Sequence, residues 1–338
     1  MNESQPFISV IIPVFNGERF LSGCLDALKA TAYQHYELIV VDDCSTDGSV
    51  EISREKGARV LKMPRQTGPG GARNVGAREA RGEVLFFVDA DVVVKLDTME
   101  RVAAGFMDHP EVAAVFGSYD DQPAEKNFIS QYKNLFHRFV HQQARSEAET
   151  FWAGCGAIRR DVFLAVNGFD AERYPRPAIE DIELGYRMRA QGHRILLDKQ
   201  LQAKHLKRWT LKSMLHADIF CRAVPWSKLI FESKGMVNDL NLQTTDRISA
   251  SLVGLSLLLL PLTVLKPQLL LVIVVLLAMI PILNHKFYRF FFERKGLVFA
   301  IGVFPLHLLY YFYSAATFVL CWFSHIFRRQ LPQKVKGT

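Results

Sequence analysis

Short β-branched and aromatic runs alternate with amphipathic stretches over the first 120 residues, and this pattern predicts a βαβ sheet of buried parallel strands. The runs lie at 7–15, 37–42, 58–63, 84–89 and 112–117, and apolar residues recur at helical spacing over about 18–30, 47–56, 72–80 and 96–107. The expected fold is a doubly wound α/β domain, whose ligands bind beyond the carboxyl ends of the strands. Two such ends carry paired carboxylates, Asp42-Asp43 and Asp89-Ala90-Asp91.

Further along, residues 127–145 read as a helix with Phe128, Tyr132, Leu135, Phe136, Phe139 and Val140 on one side and basic or amide groups on the other. That face suits a core-facing helix or one lying in a membrane interface. Residues 207–234 hold a similar mixture, Trp209, Phe220, Arg222, Trp226, Lys228 and Phe231, directly ahead of the most apolar part of the chain, and are the better interface candidate. From 248 to 327 Leu, Val, Ile and Phe dominate. The runs 248–265 and 269–283, split by Lys266-Pro267-Gln268, are each near the shortest length that crosses a bilayer core of about 30 Å, and a helical hairpin is the simplest account. The run 297–327 is longer and contains Pro305 and His307, so a tilted, kinked or partly re-entrant span is expected. The layout is therefore a soluble domain over 1–206, interfacial linker helices over 207–246, a multi-pass transmembrane region over 247–327 and a basic tail over 328–338.

The overall composition of 49% hydrophobic and 22% charged residues averages two unlike parts. A net charge of +7 raises the question of nucleic acid, but the basic residues are scattered rather than gathered into one aromatic-interleaved stripe, so no nucleic-acid partner is indicated. Membrane contact accounts for them better: Lys286, Arg289, Arg294 and Lys295 stand between apolar segments, and Arg328, Arg329, Lys334 and Lys336 follow the last one. Three spans would put one of these basic groups across the membrane, so the number and orientation of spans stay open. The five cysteines are scattered, without a C-x-x-C pair, and indicate neither a disulfide framework nor a zinc site. The polar start, without a charged n-region or cleavage site, shows no secretory signal, and the soluble domain is expected on the cytosolic face.

Asp89 and Asp91, one residue apart at a buried strand end, can hold a hard divalent cation, Mg2+ or Mn2+, whose remaining shell comes from water and phosphate. Such a cation would neutralise a leaving diphosphate. Asp42 and Asp43 precede Cys44-Ser-Thr-Asp-Gly-Ser, where Ser45 or Asp47 suits a helix cap; adjacent aspartates at a sheet mouth otherwise suit a nucleotide base or ribose. Gly68-Pro-Gly-Gly-Ala-Arg-Asn-Val-Gly reads as a flexible turn leading into a helix, able to bring backbone N–H groups and Arg73 toward phosphate or base. It matches neither a dinucleotide fingerprint nor a Walker loop. Glu180 and Asp181 open a helix, where the macrodipole alone favours acids; the functional reading makes Asp181 a general base for an acceptor hydroxyl. Phe151-Trp152-Ala-Gly-Cys-Gly lines either an acceptor cavity or the core.

Together these segments resemble the family 2 glycosyltransferases of GT-A fold. The matching pieces, in order, are Pro13-Val-Phe-Asn-Gly-Glu18, Val41-Asp-Asp-Cys-Ser-Thr-Asp-Gly48, Gly71-Ala-Arg-Asn74, Asp89-Ala90-Asp91, Gly168-Phe-Asp170 and Glu180-Asp-Ile-Glu-Leu184, within residues 7–205. The resemblance implies that Pro13, Phe15, Glu18, Asp42 and Asp43 hold the nucleoside, with Arg73 nearby. It further implies that Asp89 and Asp91 hold the metal and diphosphate, with Ala90 between them, and that Asp181 is the base in a single displacement with inversion. The donor would be a nucleotide-diphospho-sugar, UDP-linked as in most of the family, and the acceptor a lipid-linked or membrane-proximal group. Processive members carry Q-x-x-R-W; here Gln202-Ala-Lys-His-Leu-Lys-Arg-Trp209 has too many residues between, which argues for transfer of one sugar. This segment instead looks like the His-containing stretch of non-processive members, with His205 near the diphosphate; Glu180, His205 and Trp152 form a second tier of candidates. Two other readings are weaker. A nucleotidyltransferase would place its Gly-rich signature directly after the first strand, where Pro13-Val-Phe-Asn-Gly stands, and a non-catalytic scaffold would have lost a carboxylate that is present here.

Overall fold

The structure, a computed structural model, describes residues 5–232 and 243–330, with side chains to 327. The basic tail expected over 328–338 and the linker residues 233–242 therefore lie outside the described side chains. The chain divides into two compact units, residues 1–211 and 212–338.

The first unit runs β1 (Ile8–Val14), α1 (Glu18–Lys29), β2 (Tyr36–Asp42), α2 (Ser49–Glu55), β3 (Arg59–Lys62), α3 (Gly68–Glu79), β4 (Val84–Val88), β5 (Val92–Val94), α4 (Thr98–Met107) and β6 (Val112–Tyr119). It continues through α5 (Phe128–Gln143), β7 (Glu147–Ala148), β8 (Cys155–Arg159), α6 (Arg160–Ala165), α7 (Glu180–Ala190) and β9 (Arg194–His205). The strands form one sheet in the order β3-β2-β1-β4-β8-β6-β9-β5, with β7 on β9. β3, β2, β1 and β4 are parallel, whereas β8 runs antiparallel between β4 and β6, and β5 runs antiparallel to β9. The five strands expected from the sequence, β1, β2, β3, β4 and β6, all run in one direction, and the antiparallel β8 and β5 make the sheet mixed in its second half.

All seven residues of β1 and all five of β4 are buried, as central strands covered on both faces require. Ile8, Val10, Ile12, Leu21, Leu25, Val40, Phe86 and Val88 share one apolar core, and each such side chain contributes roughly 1.5–3 kcal/mol through burial. α3 begins earlier than the sequence suggests, because the Gly-Pro-Gly-Gly segment already forms its first turn, with Pro near the first position. Its glycines permit close packing: a Cβ on Gly76 would stand 2.5 Å from Ile11 Cγ2 of β1.

α5 also differs from expectation. Its amide and basic groups Gln131, Asn134, Arg138 and His141 are buried together with Tyr132, Leu135 and Phe136. They are accommodated because the edge they meet is polar: Arg138 donates to Tyr119 O (3.1 Å), and His141 Nδ1 lies 3.0 Å from Gly117 O.

The second unit holds α8 (Leu211–His216), a π-helical turn (Ala217–Ala223), α9 (Val224–Glu232), α10 (Thr244–Leu259), a 3-10 turn (Leu260–Val264), α11 (Leu269–Leu283), α12 (His285–Lys295) and α13 (Leu297–Gln330). Two helical stretches among the described residues, Thr244–Val264 and Leu297–Phe327, are long and apolar enough to cross a membrane. α11 turns by 67° into α12, and the pair makes a third such segment only if taken as one span. The fifteen residues of α11 alone extend about 22 Å, short of a hydrocarbon core of about 30 Å. The α12 helix is unforeseen, since its mixture of aromatic and basic residues reads as a connector. Val253, Ile280 and Tyr311 join α10, α11 and α13, and beside them Tyr311 Oη lies within hydrogen-bond distance of Asp246 and Asn284.

Candidate active site

The turns after β1 and β2 are fastened to one another. Asn16 (φ 52°) donates its N–H to Ser45 Oγ and accepts at Oδ1 from Thr46 N–H (2.8 Å). Glu18 N–H donates to Asp47 Oδ2 (3.0 Å), while Glu18 Oε2 accepts from Gly48 N–H (3.0 Å). Pro13 is buried in β1, and Phe15 projects beyond it with half its surface exposed.

Asp42 and Asp43 are both buried, and both are engaged by backbone. Asp42 Oδ1 accepts from Ser45 N–H, and the two Asp43 oxygens accept from Thr67 N–H and Gly68 N–H, each at 2.8 Å. Asp43 thereby fixes the start of α3 at the end of β2. Gly68 has φ 78°, and a Cβ there would stand 2.6 Å from Pro175 O, so this position needs glycine on two counts.

The Asp89-Ala90-Asp91 turn reverses the chain between β4 and β5. Asp89 N–H donates to Gly154 O (3.3 Å), and Asp91 O accepts from Leu206 N–H (2.8 Å). Ala90 faces the β1 turn: a Cβ on Gly17 would lie 3.6 Å from its own. The two carboxylates then part company. Asp89 Oδ1 meets Arg73 Nη2 at 2.6 Å, and Arg73 Nη1 reaches Glu180 Oε1 at 3.1 Å. Asp91 Oδ2 faces His205 Nε2 at 3.3 Å, because β5 and β9 pair with Val92 opposite His205. Burial raises the Asp89 carboxyl above its ordinary range against the pull of Arg73. Burial acts on Asp91 in the same direction but is outweighed by His205 and Lys207, so its carboxyl is held low and carries charge.

Asp181 is anchored on both oxygens, accepting from Ala153 N–H (3.2 Å) and Ile182 N–H (2.9 Å). Burial, reinforced by Glu180 and opposed by Arg73, pushes its carboxyl up to about 7. Trp152, next to the residue that binds Asp181, stacks edgewise on Tyr119 at 4.8 Å, and Tyr119 lies flat on His205 at 4.5 Å and 9°. Arg73, Asp89, Asp91, Glu180, Asp181, His205 and Trp152 thus form one connected wall. Pro13, Phe15, Glu18, Asp42 and Asp43 form the neighbouring rim, joined to it through Ala90 and the Asp43-held start of α3.

The described residues contain no group of three or more His, Cys, Asp or Glu side chains able to enclose a metal. The donor set present is Asp91 and His205. One carboxylate and one imidazole suit a cation that keeps its other positions for water and substrate phosphates, so the residues fit Mg2+ or Mn2+ of that kind.

Residues 9–166 match the Glycosyl transferase family 2 model. An uncharacterized glycosyltransferase of Haemophilus influenzae is 36% identical over 132 residues, covering 37% of this chain and 52% of that one. The poly(ribitol-phosphate) β-N-acetylglucosaminyltransferase TarS of Staphylococcus aureus is 34% identical over 108 residues, 30% of this chain and 19% of its own length. Among solved structures, a mannosyltransferase of Pyrobaculum calidifontis in complex with GDP-Man and Mn2+ superposes with TM-score 0.52 at 17% identity, covering 97% of this chain and 89% of that one. At that identity the likeness is one of fold. The chain spans about half or less of the length of the curated relatives it matches. The match to the family 2 glycosyltransferases falls within the first unit, whose α/β sheet has the GT-A fold, and helices able to cross a membrane follow it.

Proposed function

We propose that the protein is a membrane-anchored inverting glycosyltransferase. On this reading it moves one sugar from a nucleotide-diphosphate donor, UDP-linked by preference, to a lipid-linked or membrane-proximal acceptor on the cytosolic face. The observation that carries the reading is Asp181, a carboxyl pushed up to about 7 and held by two backbone N–H groups on the wall that also bears Asp91 and His205. A base of that strength is matched to deprotonating a hydroxyl near neutral pH.

In the reaction, Asp181 takes the acceptor proton as the acceptor oxygen bonds to the anomeric carbon. The bond from that carbon to the diphosphate breaks on the opposite face, and the configuration inverts. Arg73, fixed between Asp89 and Glu180, keeps both carboxylates in place beside the base. Asp91 and His205 would hold the cation, which supplies charge neutralisation for the departing diphosphate. Trp152, only partly buried and backed by Tyr119, presents aromatic surface for an acceptor to pack on. TarS, a poly(ribitol-phosphate) transferase, supports a role in building a cell-envelope glycan.

The test is the product's anomeric configuration by NMR together with Asp181→Asn. Inversion, and a fall in kcat of about 10²–10⁴-fold in the variant, are expected. A product that keeps the donor's configuration, or an Asp181→Asn enzyme within twofold of the parent, would contradict the mechanism.

A further inference from the structure

We infer that Asn134 of α5 is a positioning residue that sets the orientation and tautomer of His205 for cation binding; this rests on the metal-dependent reading above. Asn134 is 2% exposed, and its Oδ1 lies 2.7 Å from His205 Nδ1. The amide oxygen has no proton, so the imidazole supplies the one between them, from Nδ1–H. With Nδ1 keeping its proton, Nε2, which faces Asp91 at 3.3 Å, is the nitrogen that gives up its proton to a cation and offers it the lone pair. A ring with the other tautomer would present Nε2–H toward the cation position and exclude it.

The surroundings leave the imidazole little freedom. Tyr119 covers one face, and β9 ends at this residue. α5 is itself pinned to the exit of β9 one turn earlier, where Trp209 N–H donates to Ser130 Oγ at 2.7 Å. Ser130 and Asn134 are four apart on one helical face, and His205 and Trp209 are four apart on the chain they hold, so the helix grips this segment at two points. Asn134 Nδ2 is buried and makes no hydrogen bond among the described residues. Packing alone would favour an apolar side chain here, since an unmade buried hydrogen bond costs about 1–3 kcal/mol. The amide is therefore explained by what its oxygen does to His205.

The experiment measures Mn2+ affinity of the full chain in nanodiscs by electron paramagnetic resonance of free Mn2+, with nucleoside diphosphate present, and thermal melting as the fold control. Asn134→Leu, close in volume, should weaken Mn2+ binding about 10–100-fold, the range for losing a partner of a ligating histidine. Asn134→Asp restores the acceptor and should recover most of that loss. If His205→Ala weakens Mn2+ binding while folded Asn134→Leu does not, the positioning role is overturned and the metal site stands. If His205→Ala leaves Mn2+ binding unchanged, the metal reading fails and takes this inference with it. An Asn134→Leu protein that does not fold leaves Asn134→Asp to decide: a folded protein with weakened Mn2+ binding contradicts the inference, and parental binding supports it.

Discussion

Replacing Glu180 with Gln removes the second-largest influence on Asp181 and frees the Arg73 guanidinium to act on that base more strongly. The rise of the Asp181 carboxyl from 3.8 to about 7 amounts to about 4 kcal/mol in favour of the protonated form. Burial is the main cause and survives the substitution. A like charge on the adjacent residue, at an effective dielectric of about 20, is worth on the order of 2 kcal/mol. Its loss should therefore move the acid limb of the kcat/KM profile down by about 1.5 pH units, from about 7 toward about 5.5. The sign follows from the role: a base works when ionised, so the rate rises with pH through its pKa and the variant reaches its plateau earlier. At pH 6 the parent should run at about 10% of its plateau and the variant at about three quarters of its own. The assay is release of nucleoside diphosphate at subsaturating donor between pH 5 and 9. A limb that stays near 7, or moves to higher pH, would refute the account of what tunes Asp181.

Arg73→Met leaves Glu180 buried and Asp89 half-buried without their shared cation; a loss of about 3 kcal/mol is expected, read as a fall in Tm of about 6–12 °C. The parent Tm in this variant would show that the two ion pairs contribute nothing. Gly117→Ala puts a Cβ 2.0 Å from Leu201 O between β6 and β9 and should cost at least about 3 kcal/mol by denaturant melts. Gly57→Ala, with φ 73° and open space around it, should cost only about 1–2 kcal/mol in the same assay, and equal losses at the two sites would contradict the packing argument.

The parallel half of the sheet was legible because β1 and β4 are covered on both faces and leave apolar runs, and β2 and β4 end in paired carboxylates. The antiparallel half was not. β8 is five residues with a glycine, and β9 mixes buried positions with Lys, Gln and Asp because its pairing with β6 shifts register twice. The acidic motifs were found as motifs, but their partners were out of reach of sequence spacing: Arg73 meets Glu180 across 107 positions, and Asn134 meets His205 across 71. The sequence shows two adjacent aspartates at 42 and 43, while the structure shows that backbone N–H groups already engage both, so any nucleoside contact they make is shared with holding the loops. The division of Asp89 toward Arg73 and Asp91 toward His205 is likewise a property of the folded turn.

On the proposed reading, this domain transfers sugar from a nucleotide-diphosphate donor with a divalent cation held at Asp91. The most direct measurement is a donor panel with the full chain in nanodiscs containing lipid extract as acceptor, reading nucleoside diphosphate release with Mn2+, with Mg2+ and with chelator. Turnover of one donor that requires a cation and is lost in Asp91→Ala is the expected result. Release that persists in chelator or in Asp91→Ala, or no release from any donor, would contradict it.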